Sequence, residues 1–339
     1  MQTRILFTFL VLFILISACA APATPPVVAT PAPTDAPRKT GRIRYLDNAN
    51  QDVRDVPMHM ALDALGAQGY TVERLNFANA PLIVEALARG EGEIASANIQ
   101  TMWTVIAKGA PARTIAQRFR STLLVASNQE IKDCRQADGK RIGLPNAPGK
   151  NPTLFDLYIK KYCPDITPQL VILPETQARL AALLAGQVDA ALMQGDEFLQ
   201  IEKQAPAKFR VLMPLYQEFP QVQGNGLHVQ RAWAEKNPEI VRDFLRALVA
   251  ANRQVLAQPE LLYAEAVKRI ALEPATAQSS GEAALQLKVW DANLGLTAAS
   301  AQATLDFLTN AGSLPKTLKL DDVADLSYLN AVLEEVGRK

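Results

Sequence analysis

Histidine is nearly absent. The chain has only His59 and His228, far apart and without ligand-like spacing. That argues against a His-based metal site or a His-dependent catalytic centre, which need an imidazole beside its partners. An excess of one charge is missing too. Lys and Arg number 35 against 34 Asp and Glu, so nothing draws the chain to nucleic acid. No GxSxG nucleophile elbow occurs. Beyond residue 16 no apolar run approaches the ~20 residues that cross a bilayer. What is plentiful is apolar residue, 49% of the chain, enough for a sizeable core in one or two lobes.

The N-terminus is organised for export. Arg4 gives a short positive region, Ile5–Ile16 is almost wholly apolar, and Ser17-Ala18 follow with small side chains before Cys19. This is the layout of a secretory signal over residues 1–18. Ile16-Ser17-Ala18-Cys19 resembles a bacterial lipobox, in which the cysteine is acylated and becomes the first residue of the mature chain. Acylation at Cys19 would hold the protein to the outer face of the cell membrane; the other reading is an ordinary signal peptide with a chance cysteine. Residues 19–41 then form a Pro/Ala/Thr-rich tether of extended, polyproline character. Two further cysteines, Cys134 and Cys163, remain. In an exported protein they read as a disulfide or as two buried thiols.

Downstream, strands alternate with helices. Arg42–Leu46 reads as a strand, Val56–Leu65 as a helix, Thr71–Phe77 as a strand, Pro81–Arg89 as a helix stopped by Gly90, and Glu93–Asn98 as a short strand. This alternation indicates a parallel α/β sheet. The unit recurs. Leu87–Asn98 (LARGEGEIASAN) aligns without a gap on Leu183–Gln194 (LLAGQVDAALMQ), matching Gly90 to Gly186, Glu93 to Asp189 and Asn98 to Gln194. Two similarly built α/β lobes follow, with ligand expected in the crevice at the carboxyl ends of the strands.

His228–Val255 (HVQRAWAEKNPEIVRDFLRALVAANRQV) closely resembles a stretch of the periplasmic binding proteins of the sulfonate, nitrate and thiamine-precursor type. There, a strand returning to the first lobe precedes a helix opening with Asn-Pro-Glu. Here Asn237 is expected to cap that helix and Pro238 to fill its first turn, with Ile240, Phe244 and Leu248 as an apolar stripe. Gly186–Met193 and Ala137–Leu144 match two more family landmarks. The resemblance covers most of residues 42–275. It implies a type II periplasmic-binding-protein fold: two α/β lobes, 42–125 with 227–339 and 126–226, joined by two crossovers near Leu123–Ser127 and Gln223–Val229. It also implies the solute-binding subunit of an ABC importer, with a membrane permease and its cytoplasmic ATPase as partners and no resident cofactor. A ligand-sensing component of a signalling system is the alternative; neighbouring permease and ATPase genes would favour transport, a receptor-kinase gene sensing. Thiamine-precursor synthases of the yeast type share the fold and are enzymes, but their cysteine-rich motif is absent here and the chain is exported, so no enzyme is expected.

The expected site is amide-rich. Gly143–Asn151 (GLPNAPGKN) is not a P-loop: Gly143 and Gly149 are one residue too far apart, and Asn151 stands where Ser or Thr would bind magnesium. As a loop opening the helix Thr153–Tyr162 it still offers backbone N–H groups and Lys150 to an oxygen-bearing ligand. Asn48, Asn98, Asn146, Asn151, Gln194 and Asn225 stand at strand ends or in loops beside them, with Asp47, Lys150 and Asp196 as the few nearby charges. A bare oxyanion calls for arginine or several basic groups, whereas amides donate and accept and suit a neutral polar ligand. Trp103 and Tyr216 either stack on a flat ring or pack in the core. The expectation is therefore a planar heterocycle, riboflavin ahead of a thiamine-type pyrimidine. An alkanesulfonate held by Lys150 and the helix start is the alternative.

Overall fold

The computed structural model describes residues 39–49, 51–145 and 153–339; Cys19, Asn146, Lys150 and Asn151 lie outside them. Among the described residues, short, β-branched and alanine-rich segments form ten strands: β1 Arg42–Asn48, β2 Thr71–Phe77, β3 Ile94–Asn98, β4 Ala112–Phe119, β5 Leu123–Asn128, β6 Arg141–Leu144, β7 Gln169–Ile172, β8 Ala190–Gln194, β9 Phe209–Met213 and β10 Asn225–Gln230. They make two five-stranded mixed sheets, ordered β2-β1-β3-β10-β4 and β7-β6-β8-β5-β9. In the first, β1 is parallel to β2 and β3, while β10 runs antiparallel to β3 and β4. In the second, β6 is parallel to β7 and β8, while β5 runs antiparallel to β8 and β9. The orders are equivalent position by position. In each lobe the antiparallel fourth strand is the one that arrives from the other lobe.

The internal repeat has a structural cause. β3 and β8 are the equivalent third strands, paired in the same register: Tyr45 opposite Ile94, and Ile142 opposite Ala190. Gly90 and Gly186 both adopt left-handed backbone, with φ of 75° and 69°, a conformation glycine enters without a Cβ penalty. Glu93 accepts from the backbone N–H and the guanidinium of Arg44, and Arg44 Nη2 also donates to Gly90 O at 3.2 Å. Asp189 does the same for Arg141, whose Nη2 reaches Gly186 O at 2.9 Å. One charge-assisted clamp thus ties the first strand to the turn before the third in both lobes.

The cores lie on both faces of each sheet. Val241, Phe244, Leu245 and Leu248 of the helix Pro238–Ala257 pack with Met58, Leu62 and Leu65 of the helix Val56–Gln68 over one face of the first sheet. Ile83, Leu87, Trp103, Leu305 and Leu308 cover the other. Asn237 does not cap with its side chain; its Nδ2 donates to Trp233 O at 2.8 Å, a carbonyl that also accepts from Asn237 N at 2.9 Å where the helix Arg231–Lys236 stops. In the second lobe Cys134 and Cys163 are disulfide-bonded with Cα atoms 6.1 Å apart.

The chain passes between sheets at residues 120–122 and 214–224. The stretches Leu123–Ser127 and Gln223–Val229 are therefore mostly paired strands, not the passages themselves. The two passages touch. A Cβ on Gly224 would sit 2.4 Å from Ser121 N and 2.7 Å from Phe119 O. The C-terminal helices pack on the first lobe and also reach the second. Thr304 Oγ1 donates to Gln221 O at 2.6 Å, the Phe307 and Phe219 rings stand 5.4 Å apart, and Lys203 Nζ is 3.1 Å from Glu282.

Candidate ligand-binding site

The carboxyl ends of β1 and β8 meet across the lobes. After β1 the chain turns through Asp52 into the 3-10 turn Val53–Asp55. Asp52 Oδ1 accepts from Arg54 N at 2.8 Å, and Asp55 Oδ2 from Asp52 N at 2.7 Å. This reciprocal cap aims Arg54 across the crevice, where Nη2 donates to Glu197 Oε1 at 3.1 Å and Nε lies 3.7 Å from Asp196. Glu197 is itself fixed, since its Oε2 accepts from Gln194 N at 2.7 Å.

Behind this bridge lies Arg118, near the end of β4. Its Nη1 donates to Asp47 Oδ1 at 2.9 Å and to Ser96 Oγ at 2.6 Å, and its Nη2 donates to Asp55 Oδ1. Ser96 Oγ donates on to Asn225 Oδ1 at 2.6 Å. Both guanidinium carbons, of Arg54 and Arg118, stand 5.5 Å from the centre of the Phe119 ring, close enough for cation–π attraction. Two arginines therefore face five carboxylates: Asp47, Asp52, Asp55, Asp196 and Glu197.

That excess of acid, together with burial, perturbs the carboxyl groups. Burial pushes the Asp55 carboxyl up to about 7, Asp52 and Asp47 add to it, and Arg118 opposes. Burial likewise pushes Asp196 up to about 6, with Glu197 and Asp52 reinforcing and Arg54 opposing. Burial lowers the Arg118 guanidinium, but Asp47, Tyr45 and Asp55 outweigh it and the net shift is upward.

The strand-end residues named from sequence divide. Asp196, Gln194 and Asn225 are brought to the crevice; Gln194 Oε1 accepts from Thr122 Oγ1 at 3.0 Å. Asn48 ends β1 exposed, its carbonyl accepting from Gln51 Nε2 at 2.9 Å. Asn98 is also exposed, and its Oδ1 accepts from Thr101 N at 3.3 Å as a helix cap. Tyr216 is half-buried just after β9, its hydroxyl accepting from Gln217 Nε2 at 2.8 Å. Trp103 is elsewhere: it is fully buried in the first lobe's core. Its Nε1 donates to Thr114 Oγ1 at 2.8 Å, Thr114 pairs with His228 Nδ1 at 2.9 Å, and His228 Nε2 reaches Ala97 O at 3.0 Å. With Thr114 donating, that chain needs the neutral Nε2–H tautomer, and burial lowers the His228 pKa to about 4. Trp103 and His228 are thus structural, and Trp103 offers no ring face to a ligand.

The expected shortage of basic groups at the strand ends is corrected: Arg54 and Arg118 are there. Neither was singled out from the sequence, nor were Asp52, Asp55 and Glu197. The one available signal was the position of Arg118, a charged residue near the end of an otherwise core-forming strand.

A family model described as NMT1/THI5 like matches residues 67–261. The chain belongs to that family. The riboflavin-binding protein RibY of Chloroflexus aurantiacus is 25% identical over 281 residues, covering 77% of this chain and 76% of that one. Among solved structures, a ligand-binding component of an ABC-type import system from Staphylococcus aureus has a TM-score of 0.66 at 14% identity, covering 87% of this chain and 99% of that one. The periplasmic aliphatic sulphonate-binding protein SsuA of Escherichia coli has a TM-score of 0.61 at 17% identity, covering 86% and 92%. At these identities the likeness to the solved structures is one of fold.

Proposed function

We propose that the chain is the solute-binding component of an ABC importer, anchored outside the cell membrane through a lipid on Cys19. In this reading it captures a small planar heterocycle, riboflavin ahead of a thiamine-type pyrimidine, and hands it to a permease driven by a cytoplasmic ATPase. The observation that carries it is the charge of the crevice. Both arginines that could have met an oxyanion are already engaged by carboxylates. A sulfonate brought there would meet buried acid, which costs more than it returns. A neutral ligand with N–H and O–H groups meets acceptors instead. RibY, which is named for riboflavin, supports the same choice. With the Trp103 face lost, Phe119, beside Arg54 and Arg118, and Trp290, whose Nε1 donates to Arg54 O at 3.3 Å, are aromatic side chains next to the bridge.

The test is calorimetry and flavin-fluorescence quenching on purified protein with riboflavin, an aminopyrimidine, ethanesulfonate and nitrate. Riboflavin is expected to bind with quenching and to be recovered unchanged, as binding without turnover requires. Tight binding of ethanesulfonate with no response to riboflavin or the pyrimidine would overturn the heterocycle reading and leave solute capture standing.

A further inference from the structure

We infer that the free carboxylate oxygens Asp47 Oδ2 and Asp196 Oδ1, one from each lobe, are the acceptors that grip the ligand through two of its donor groups. This rests on the solute-binding reading above and names the chemistry that the site selects.

The two oxygens are unusual in the same way. Asp47 is 5% exposed and Asp196 2% exposed. Each has one oxygen that is buried and accepts no hydrogen bond from a described residue. Buried polar atoms are almost always paired, and a buried carboxylate oxygen is the most expensive kind to leave bare. Neither side chain is merely loose. Asp47 is held by its other oxygen, which accepts from Arg118 Nη1 at 2.9 Å and from Asn48 N at 2.9 Å. Asp196 is held at the start of the helix Gly195–Gln204, with Arg54 Nε 3.7 Å away. Fixing one oxygen while the other stays open is how a site presents an acceptor in advance of its ligand.

The two carboxylates border one site. Their arginine partners stand at equal distance, 5.5 Å, from the same Phe119 ring. Asp47 belongs to the end of β1 and Asp196 to the residue pair after β8, so a ligand that donates to both bridges the lobes. Arg118 Nε is buried without a partner in the same cluster, but it is one donor against two open carboxylate oxygens. The arrangement therefore favours ring N–H, amino and hydroxyl groups over anions, and the two aspartates set specificity independently of shape.

The substitutions Asp47→Asn and Asp196→Asn keep size and exchange an acceptor for a donor. Wild type and both variants are titrated with riboflavin, an aminopyrimidine and ethanesulfonate, and melting of the unliganded proteins checks folding. Each variant is expected to stay folded, with Asp47→Asn melting below wild type because it breaks the pair with Arg118, and to bind riboflavin at least tenfold more weakly, with Asp196→Asn gaining affinity for ethanesulfonate. A wild type that binds riboflavin or the pyrimidine, with folded variants that match it within twofold, overturns the two-acceptor grip alone. If the variants fail to fold, wild type is compared on riboflavin and its tetraacetate, whose side-chain hydroxyls are blocked, and on 3-methylriboflavin, which lacks the ring N–H. Equal affinity for all three overturns the grip. A wild type that binds only ethanesulfonate, or nothing in the panel, overturns both the grip and the heterocycle reading.

Discussion

Arg118→Met removes a charge from the most connected point of the site while keeping a side chain of similar reach. Asp47 Oδ1 and Asp55 Oδ1 lose their guanidinium, and Ser96 Oγ loses a donor. Arg118 is 4% exposed, so water does not replace it. Breaking a buried pair by deleting one partner costs about 3–5 kcal/mol. Unfolding entropy near 2.1 cal/mol/K per residue gives roughly 0.6 kcal/mol/K for the ~300 residues described, so Tm should fall by about 5–8 °C. The deficit must also depend on pH in a stated direction. In the native protein Asp55 has a folded pKa of about 7 against an ordinary 3.8. Its contribution is therefore fully present below 3.8 and lost as pH rises through about 7. Arg118 opposes that rise, so its removal moves Asp55 higher still. Below pH 7 Asp55 is protonated in both proteins and the lost guanidinium matters less. Above the variant's value it is ionised in both and the full loss is felt, each unit of displacement being worth ~1.4 kcal/mol. Calorimetric melts at pH 6 and pH 9 test this. A shift under 2 °C at both, or a larger deficit at pH 6, would refute the account.

Four other outcomes follow from the same structure. Glu197→Gln weakens the inter-lobe bond to Arg54 and should raise the Kd for riboflavin about tenfold, equivalent to ~1.4 kcal/mol, with a larger radius of gyration by X-ray scattering; unchanged Kd and radius would contradict it. Gly224→Ala forces the two passages apart where a Cβ meets backbone and should cost about 1–3 kcal/mol in chemical denaturation, whereas a neutral result would mean the passages yield freely. Trp103→Phe should lower stability by about 1–2 kcal/mol through the partner lost by Thr114, yet leave riboflavin affinity within twofold. Reducing the disulfide, which closes a loop of separation 29, should lower stability by about 3.5 kcal/mol, read as a drop in the urea midpoint.

How much was legible depends on range. Thr71–Phe77 was readable residue for residue because β-branched and aromatic residues bounded by turn signals set a strand locally. The Gly90/Gly186 and Glu93/Asp189 matches were readable because each clamp is built within a single α/β unit, which the chain uses twice. Asn237 misled because two local roles compete for one side chain: it stands both before one helix and after another, and the carbonyl of Trp233 at the end of the earlier helix takes its amide. Trp103 could not be assigned because the core that buries it includes Leu305 and Leu308, far along the chain. The site's charge pairs were out of reach altogether. Arg118 finds Asp47 across 71 positions and Arg54 finds Glu197 across 143. Periodicity in one sequence carries no information about which charges meet.

Those long-range pairs also explain why such a crevice can work as a hinge. Where the β1 and β8 ends meet, the lobes are joined by charged groups rather than by a shared apolar core. Arg54 is 12% exposed and Glu197 9% exposed at the side chain, so joining them strips water from both, and the gain from the bond is largely offset. In the proposed reading, closure without ligand would then be close to balanced, and the bare oxygens of Asp47 and Asp196 would tilt it further against an empty closed state. A ligand that satisfies both oxygens acts on the closed form alone. That differential affinity is the quantity that shifts a two-state equilibrium. On the proposed grip, an anion, however well it fits by shape, would leave the same oxygens bare and add repulsion, and is expected to bind without favouring closure.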